Sequence, residues 1–422
     1  MARDNAAESA QRARIVGVAR RRGRADGDLI TFGGPSNRRP RLARRGSTAG
    51  GLPGADSGFD YFLFPFPTSI SSNTTPMRKT TSLCFTQSRP WLSQLYKTTR
   101  RQLTTQPIPL TPSPPELSNI QNFRDQALGP QKPFLFARDT GSSTNLLPAA
   151  SKWFHQDGIN DSAKVTPPWT LTPYMIQFQE WPFPYELVAP LPKNQEALIA
   201  FRNWLLSSKE PVDHILTSIL EPSIADLGRQ TFFQLFAPLR LLIKALEFNH
   251  LQNHEHSEPV ELYIAQSSLT ELPTALQDDL PTPELVRSAG KGDVYSSSIW
   301  LGTEPTYTPL HRDPNPNLFC QLCNTKLIRL MPPAPGDRLF FEVQRRIHQQ
   351  GNSRIRTVEM MEGKEREALH EVIWQPDTLP DQLYEAQLGP GDSLFIPNGW
   401  WHSVKSKGSQ GHLNGSVNWW FR

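Results

Sequence analysis

Short apolar runs separated by turn residues fill the chain from residue 256 to its end, and this pattern constrains the fold more than any other feature. Runs of roughly four to eight β-branched and aromatic residues between turns are typical of strands. Because these runs follow one another without a helical pattern between most of them, they favour an all-β barrel over 256–422. The predicted strands are Val260–Ala265, Val294–Leu301, Tyr307–His311, Leu318–Leu322, Lys326–Met331, Ser393–Ile396, His402–Lys405 and Gly415–Phe421.

The preceding region, 120–255, has a different texture and predicts mainly helices. Apolar residues recur at helical spacing over Gln195–Ser207. A longer apolar helix is predicted over Ser223–Leu251, interrupted at Pro238 because proline removes a backbone donor. We therefore expect an α+β fold, mainly β, in which a helical N-terminal half packs on the barrel.

Two further segments are predicted to border the barrel. The proline-containing run Trp181–Tyr185 predicts a packed loop that covers it. The segment Gly336–His370 carries many basic side chains and predicts an insertion between two barrel strands.

The amino-terminal region carries an excess of arginine. Residues 1–50 contain twelve arginines, no lysine and only four acidic residues. Because no periodic apolar pattern accompanies them, we expect 1–76 to be a disordered basic leader. Arginine runs within 20–24 and 38–45 are candidate nuclear-import or nucleic-acid patches, and a solvated basic tail without a partner is the equal alternative.

The following segment has no acidic residue between Tyr61 and Pro115. Within it, 77–106 is rich in basic, hydroxyl-bearing and leucine residues, which is typical of a mitochondrial presequence. We therefore expect import into mitochondria if Met77 is the functional start. The alternative is one long disordered arm with nuclear or cytoplasmic localisation. The prolines of 107–119 predict a stiff linker to the folded part.

Composition sets modest bounds on the class of protein. The 422 residues suffice for one large domain or two ordinary ones. Three cysteines cannot form a disulfide framework, which favours a reducing compartment. No apolar stretch approaches the ~20 residues that span a bilayer, so no membrane insertion is expected. The sequence leaves the oligomeric state open.

Two histidines and an aspartate form the candidate metal site. His311 and Asp313 lie in the run Thr308–Asp313, and His402 closes the run Gly391–His402. A strand points residues two apart to the same face, so His311 and Asp313 can project together into a barrel. A histidine on a facing strand then completes two imidazoles and one carboxylate on one side of a metal. That arrangement leaves coordination positions open, as non-haem Fe(II) oxygenases require.

Lys326 lies between these two motifs. On a strand it shares a face with Ile328 and Leu330, so it is expected to point into the barrel and to need a partner there. A surface lysine on an edge strand is the alternative. Taken singly, His402 could be a packed core histidine and Asp313 could open a turn. The three motifs in this order favour a metal site.

These motifs resemble the JmjC and cupin-like family of Fe(II)- and 2-oxoglutarate-dependent oxygenases. The similarity is greatest to the small hydroxylase branch, which includes the asparaginyl hydroxylase of hypoxia-inducible factor. It is strongest over 299–420 and extends more weakly back to about residue 120. The residues that carry it, in the family's order and spacing, are Ile299–Gly302, Thr308–Asp313, Asn317, Lys326–Leu330, Pro390–His402 and Ser416–Trp420.

The resemblance implies a double-stranded β-helix (jelly-roll or cupin) barrel that binds Fe(II) and uses 2-oxoglutarate and O2 as co-substrates. His311, Asp313 and His402 match the family's iron ligands. In the family, a lysine pairs with the remote carboxylate of 2-oxoglutarate, and two hydroxyl groups bond to it. The positions that match this pocket are Lys326, Thr308, Tyr263, Asn317 and Asn418.

The function implied by the resemblance is hydroxylation of a side chain in a protein or peptide substrate, with release of succinate and CO2. Demethylation of N-methyl-lysine, as in JmjC histone demethylases, uses the same chemistry and is the alternative. It is placed second because the chain shows no zinc-binding reader module. Oxidation of an RNA base is a third, weaker possibility that the basic charge supports. A non-catalytic cupin-like binding module is the alternative from another class.

Overall fold

The computed structural model describes residues 106–113, 119–138, 147–156, 168–252, 258–350, 361–375 and 379–422. The predicted basic leader and nearly all of the predicted presequence lie outside these ranges, so both stay predictions. Within the described ranges, no helix is both long and apolar enough to cross a membrane.

Strands and helices alternate along the described residues before the barrel, and strands predominate within it. The strands are β1 (Ile108–Pro109), β2 (Phe134–Phe136), β3 (Phe154–Gln156), β4 (Trp169–Leu171), β5 (Pro182–Val188), β6 (Phe232–Pro238), β7 (Leu262–Ser268), β8 (Val294–Thr303), β9 (Tyr307–Arg312), β10 (Asn317–Cys323), β11 (Lys326–Met331), β12 (Tyr384–Leu388), β13 (Ser393–Ile396), β14 (Trp401–Ser406) and β15 (Leu413–Phe421). The α-helices are α1 (Ile120–Phe123), α2 (Pro148–Lys152), α3 (Pro173–Ile176), α4 (Pro192–Leu206), α5 (Pro211–Ala225), α6 (Arg240–Gln252), α7 (Thr274–Asp278), α8 (Glu284–Ser288), α9 (Pro333–Ile347) and α10 (Gly363–Trp374).

Strands β8 to β15 build the barrel that the sequence predicts. They form two four-stranded antiparallel arrays, β13-β10-β15-β8 and β12-β11-β14-β9. Successive strands pass from one array to the other except at β11 and β12, which are neighbours. This is the connectivity of a double-stranded β-helix, so the predicted jelly-roll fold is confirmed.

Alternation along the strands explains how the arrays pack. On β11, Lys326, Ile328 and Leu330 are buried whereas Leu327 and Arg329 are only half-buried, as a period of two requires. Side chains from both arrays fill the space between them in one apolar cluster. Its members include Leu135, Phe319, Ile328, Leu330, Ala386, Leu388, Leu394, Ile396, Trp400 and Val404.

The region before the barrel combines helices with strands that extend the larger sheet. β7, β5 and β6 continue that sheet beyond β8, in this order. The predicted single helix over Ser223–Leu251 is wrong, because β6 lies between α5 and α6. Phe233 and Ala237 of β6 pack in the main core while Phe236 is exposed. A short apolar run such as this one does not reveal its period clearly, which explains the error.

The predicted loop over Trp181–Tyr185 is wrong as well, since Pro182–Val188 is the strand β5. At Pro182 and Pro184 this strand pairs with β6, and its pairing with β7 begins only at Tyr185. A proline is tolerated in a strand where no neighbour needs its missing N–H. The prolines therefore mark the point at which one side of β5 is left without a partner strand.

Two predicted connections also prove to be ordered structure against the barrel. In the predicted linker 107–119, Ile108 and Pro109 pair in parallel with Tyr384 and Glu385 of β12, a strand that the sequence does not predict. The predicted insertion Gly336–His370 forms most of α9 and α10, with 351–360 outside the described residues. Both helices cover the outer face of the smaller sheet in an apolar cluster that includes Leu310, Phe340, Leu369 and Trp401.

Candidate metal centre and co-substrate cavity

The structure brings together His311, Asp313 and His402. His311 lies near the end of β9 and Asp313 directly follows that strand, so both point to the same side. His402 lies on β14, directly opposite His311 across the antiparallel ladder. One nitrogen or oxygen from each of the three residues lies within 4.8 Å of the others, and all three side chains are buried. Such a donor set fits a divalent metal ion with open coordination positions.

Hydrogen bonds fix which nitrogen each histidine presents to this centre. His311 Nδ1 lies 2.8 Å from the Pro309 carbonyl, and His402 Nδ1 lies 3.1 Å from the Trp400 carbonyl. A carbonyl only accepts, so each Nδ1 carries a proton and each Nε2 is left to face the centre. The two Nε2 atoms lie 3.8 and 3.5 Å from Asp313 oxygens. Metal-binding histidines are oriented in the same way.

The charge state of His311 also suits a metal ligand. Burial and the neighbouring His402 lower the pKa of His311 to about 4, although Asp313 acts in the opposite direction. The ring is therefore neutral near pH 7. Neutral imidazole, rather than imidazolium, is the form that binds a metal.

Asp313 is held by two donors that the rest of the cavity supplies. Asn317 Nδ2 donates to Oδ2 at 3.0 Å, and Trp420 Nε1 donates to the same oxygen at 2.7 Å. Asn418 Nδ2 in turn donates to Asn317 Oδ1 at 3.3 Å, and Trp300 Nε1 donates to Asn418 Oδ1 at 2.7 Å. This chain of bonds fixes the carboxylate and leaves Oδ1 facing His311.

The site-residue assignments from the sequence did not include the two tryptophans. Asn418 and Trp420 are two residues apart on β15 and so share one face, which is the signal that could have assigned Trp420 to the site. Trp300 lies on β8, next to β15 in the sheet. No pattern in the sequence shows its bond to Asn418, because that contact depends on strand register.

A second carboxylate, Asp337, supports both metal-binding strands from outside the barrel. Its Oδ1 accepts from Trp401 Nε1 at 2.9 Å and from Arg312 Nη1 at 3.0 Å. Trp401 precedes His402, and Arg312 stands between the two site residues of β9. Gly336 allows the close approach, since a Cβ there would lie 2.1 Å from the Trp401 ring. The amino-terminal turn of α9 is thereby attached to both strands.

The metal centre opens into a small cavity that contains most of the residues predicted to bind 2-oxoglutarate. Thr308, Tyr263, Asn317 and Asn418 line it together with the three centre residues. Gln266, Trp300, Phe319, Val404 and Trp420 complete the lining.

Lys326 lies behind Tyr263 at the end of this cavity. Its Nζ donates to Tyr263 Oη at 3.0 Å and to Ser416 Oγ at 2.9 Å. The side chain is buried, and in the described part of the chain no carboxylate oxygen lies within ion-pair distance of Nζ. Burial lowers the pKa of Lys326 to about 7, and the nearby Cys323 and Glu304 offset this only in part. A buried lysine without a carboxylate partner fits an anionic ligand, whose charge would favour the protonated amine.

Comparison with known proteins agrees with the barrel and its centre. Residues 223–422 match the family described as Cupin-like domain. Lysine-specific demethylase JMJ30 of Arabidopsis thaliana is 28% identical over 166 residues, which cover 39% of this chain and 36% of that protein. Jumonji C domain-containing protein 5 of Drosophila melanogaster is 30% identical over 151 residues, 34% of either chain. Lysine-specific demethylase 8 of Danio rerio is 29% identical over 161 residues, 38% of this chain and 36% of that protein.

The fold and the buried donor set define the class: a jelly-roll protein with a two-histidine, one-carboxylate centre. Within that class, residues 223–422 match a cupin-like domain, and the chain is similar to proteins named as JmjC-domain proteins and lysine-specific demethylases. The chain matches about a third of the length of these curated relatives.

Proposed function

We propose that the protein is an Fe(II)- and 2-oxoglutarate-dependent oxygenase that acts on a protein side chain. The observation that carries the proposal is the pairing of two features at one cavity, one that lines it and one that lies behind its Tyr263 wall. One is the donor set of His311, Asp313 and His402. The other is the buried ammonium of Lys326. When bound there, Fe(II) with 2-oxoglutarate and O2 would supply the chemistry that hydroxylates a C–H bond and yields succinate and CO2.

Each residue of the cavity has a role that follows from its chemistry. The three centre residues would hold the metal through two histidine nitrogens and one carboxylate oxygen. Lys326, with the hydroxyls of Tyr263 and Thr308, would bind the remote carboxylate of 2-oxoglutarate. A lysine that already donates to hydroxyl groups can exchange a weak acceptor for a charged one. Asn317 and Asn418 would keep Asp313 in place and form the cavity wall between the two ends.

The names of the relatives bear on which product forms. Two of the three proteins compared above are named lysine-specific demethylases. We therefore propose demethylation of N-methyl-lysine ahead of simple side-chain hydroxylation, which reverses the order expected from the sequence. The chemistry is shared, because a hydroxylated N-methyl group collapses to an amine and formaldehyde.

One assay tests the proposal and separates the two products. The full chain would be incubated with Fe(II), 2-oxoglutarate and arrays of peptides that contain N-methylated or unmodified residues. We expect succinate to form with the wild-type protein and not with His311→Ala. Formaldehyde and loss of a methyl group identify a demethylase, whereas gain of one oxygen atom identifies a hydroxylase. Identical results for both proteins would favour a non-catalytic binding module.

We also propose that the protein acts in mitochondria, which the acid-free segment beginning at Met77 supports. A fluorescent fusion beginning at Met77 should co-localise with mitochondria. Diffuse or nuclear signal from that fusion would contradict the proposal. Nuclear signal from the full chain would favour the arginine runs as the targeting signal, and an RNA or chromatin substrate with it.

A further inference from the structure

An exposed phenylalanine, Phe236, lies on β6 at the edge of the larger sheet, two strands from the cavity-lining strand β7. On β6, Phe233 packs in the core, whereas Phe236 points to the other face and is 73% exposed. Pro184 of β5 stands directly opposite Phe236. Two residues further along β5, Glu186 stands directly opposite Tyr263, which lines the cavity. Phe236 and Pro184 therefore lie on the same face of the sheet as the cavity wall.

Between the cavity and this pair, β7 departs from regular pairing. Its register with β8 shifts between Ile264 and Ser267, and Gln266 within that interval has a φ of 52°. A non-glycine residue with positive φ is strained, and a bulge redirects its side chain. Gln266 lines the cavity, so its amide is available at the point where the cavity meets the extended sheet. Strained residues of this kind cluster at binding sites.

We propose that Gln266, Pro184 and Phe236 form a substrate ledge, which binds the polypeptide segment beside the residue that is oxidised. Phe236 contacts an apolar side chain of that segment. The inference rests on the proposed function and adds a recognition element to it.

The width of the sheet gives the position of that side chain. Neighbouring strands lie about 4.8 Å apart, so two spacings separate β7 from β6 by about 10 Å. An extended peptide advances about 3.3 Å per residue. Phe236 also lies two residues along β6 from Gln234, which is in the row of Tyr263, so the separation exceeds this lateral distance. The residue that contacts Phe236 therefore lies at least three positions from the residue in the cavity.

The chemistry of the ledge favours an apolar contact by side chains. Pro184 and Phe236 carry no charge, and a proline has no N–H for pairing with an added strand. Phe236 is bordered by the half-buried Pro184 and the exposed Gln234, and aromatic side chains are enriched at protein interfaces. Continuity with the cavity favours the substrate as the occupant over a second copy of this chain.

A peptide selection tests the ledge directly. The full chain would be loaded with Mn(II) and N-oxalylglycine, a 2-oxoglutarate analogue that arrests turnover. It would then select binders from displayed peptide libraries, each with a different fixed central residue, including dimethyl-lysine. The variants would be Phe236→Ser, the conservative Phe236→Leu, and the control Ile215→Ser. Ile215 is 59% exposed on α5, a helix whose Leu216 and Leu220 pack in the core on the opposite side of the sheet.

We expect peptides enriched in Leu, Ile, Met or Phe at one position, three or more residues to one side of the centre. Phe236→Ser should lower that enrichment about tenfold, the size of effect that loss of an interface aromatic produces. Phe236→Leu should retain most of it, and Ile215→Ser should match the wild type. Thermal melting should show all three variants folded, because substitutions at exposed positions change stability little.

Several results would overturn the ledge. These are no enrichment, enrichment without an apolar position, or enrichment that Phe236→Ser leaves unchanged. A wild-type dimer that Phe236→Ser converts to a monomer in sedimentation would show instead that the surface binds a second copy. Succinate formation by the wild-type protein without peptide reports on the proposed function alone, so the two proposals fail separately.

Discussion

The two ends of the cavity meet opposite electrostatic requirements. At the metal end, the one buried carboxylate, Asp313, already accepts two hydrogen bonds, and His311 is neutral. At the far end, the ammonium of Lys326 has only hydroxyl acceptors. The metal end is thus built around a negative charge and the far end around a positive one. The comparison indicates a cavity that accepts a cation at one end and an anion at the other.

Removal of a metal ligand should give the largest effect. His311→Ala or His402→Ala leaves two ligands, and Asp313→Asn removes the charge that helps to hold a divalent cation. Asp313→Glu adds about one C–C bond length against a metal shell that tolerates about 0.2 Å. We expect all four variants to remain folded and to lose turnover completely, measured as succinate formation. Equilibrium dialysis with Mn(II) should show that metal is not retained.

Retention of metal by all four variants would show that His311, Asp313 and His402 are not the metal ligands. In that case the two histidines and the aspartate would be core residues that satisfy one another. Unchanged far-ultraviolet circular dichroism is the control for folding in each variant.

Replacement of Lys326 should weaken 2-oxoglutarate binding at one end of the cavity without weakening metal binding at the other. Lys326→Met keeps the unbranched side chain, one heavy atom shorter, and removes its charge. We expect the affinity for 2-oxoglutarate to fall more than a hundredfold, since a broken buried charge pair costs about 3–5 kcal/mol. Metal affinity without 2-oxoglutarate should change little. Isothermal titration of each ligand distinguishes this result from an equal loss of both, which would mean that Lys326 supports the fold.

How far the sequence predicts this site depends on the type of contact. Alternation along a strand predicts that His311 and Asp313 project together and that Lys326 points inward. Bonds between strands, such as that from Trp420 to Asp313, depend on register and are not visible in the sequence. The same limit explains the fold errors, because β5 and β6 are short runs whose pairing partners decide their conformation.

Asp337 should have an intermediate effect, because it touches the neighbours of the ligands rather than the ligands. Asp337→Ala removes the acceptor shared by Arg312 and Trp401. We expect metal affinity to fall about tenfold, at the lower end of the range for residues that orient ligands. Asp337→Asn keeps an acceptor oxygen and should lose less.

The matched control for Asp337 is Glu371→Gln. Glu371 of α10 pairs with Arg346 of α9 at 3.1 Å, in the same pair of helices but away from the metal-binding strands. The Glu371→Gln variant should leave metal affinity unchanged. A similar loss in both variants would show that the helices act only through stability.

The smallest expected effect is on the pH dependence of stability without ligands. The pKa of Lys326 is about 7 in the folded protein, against its usual value of 10.5. Between these values the unfolded chain keeps a proton that the folded protein has released, so stability rises with pH across this window. Thermal melts from pH 7 to about pH 10 should show a steeper rise for the wild type than for Lys326→Met. Parallel curves would mean that burial does not lower the pKa of Lys326.

One spectroscopic experiment tests whether the cavity binds Fe(II) and 2-oxoglutarate together. Anaerobic addition of Fe(II) and then 2-oxoglutarate should produce a visible absorption band in the wild-type protein, because the band requires both ligands together in the cavity. Asp313→Asn should show no band at any 2-oxoglutarate concentration. Lys326→Met should show the band only at much higher 2-oxoglutarate concentration than the wild type. Absence of the band from the wild type, or the same band in Asp313→Asn, would contradict the assignment of this cavity as the site of Fe(II) and 2-oxoglutarate.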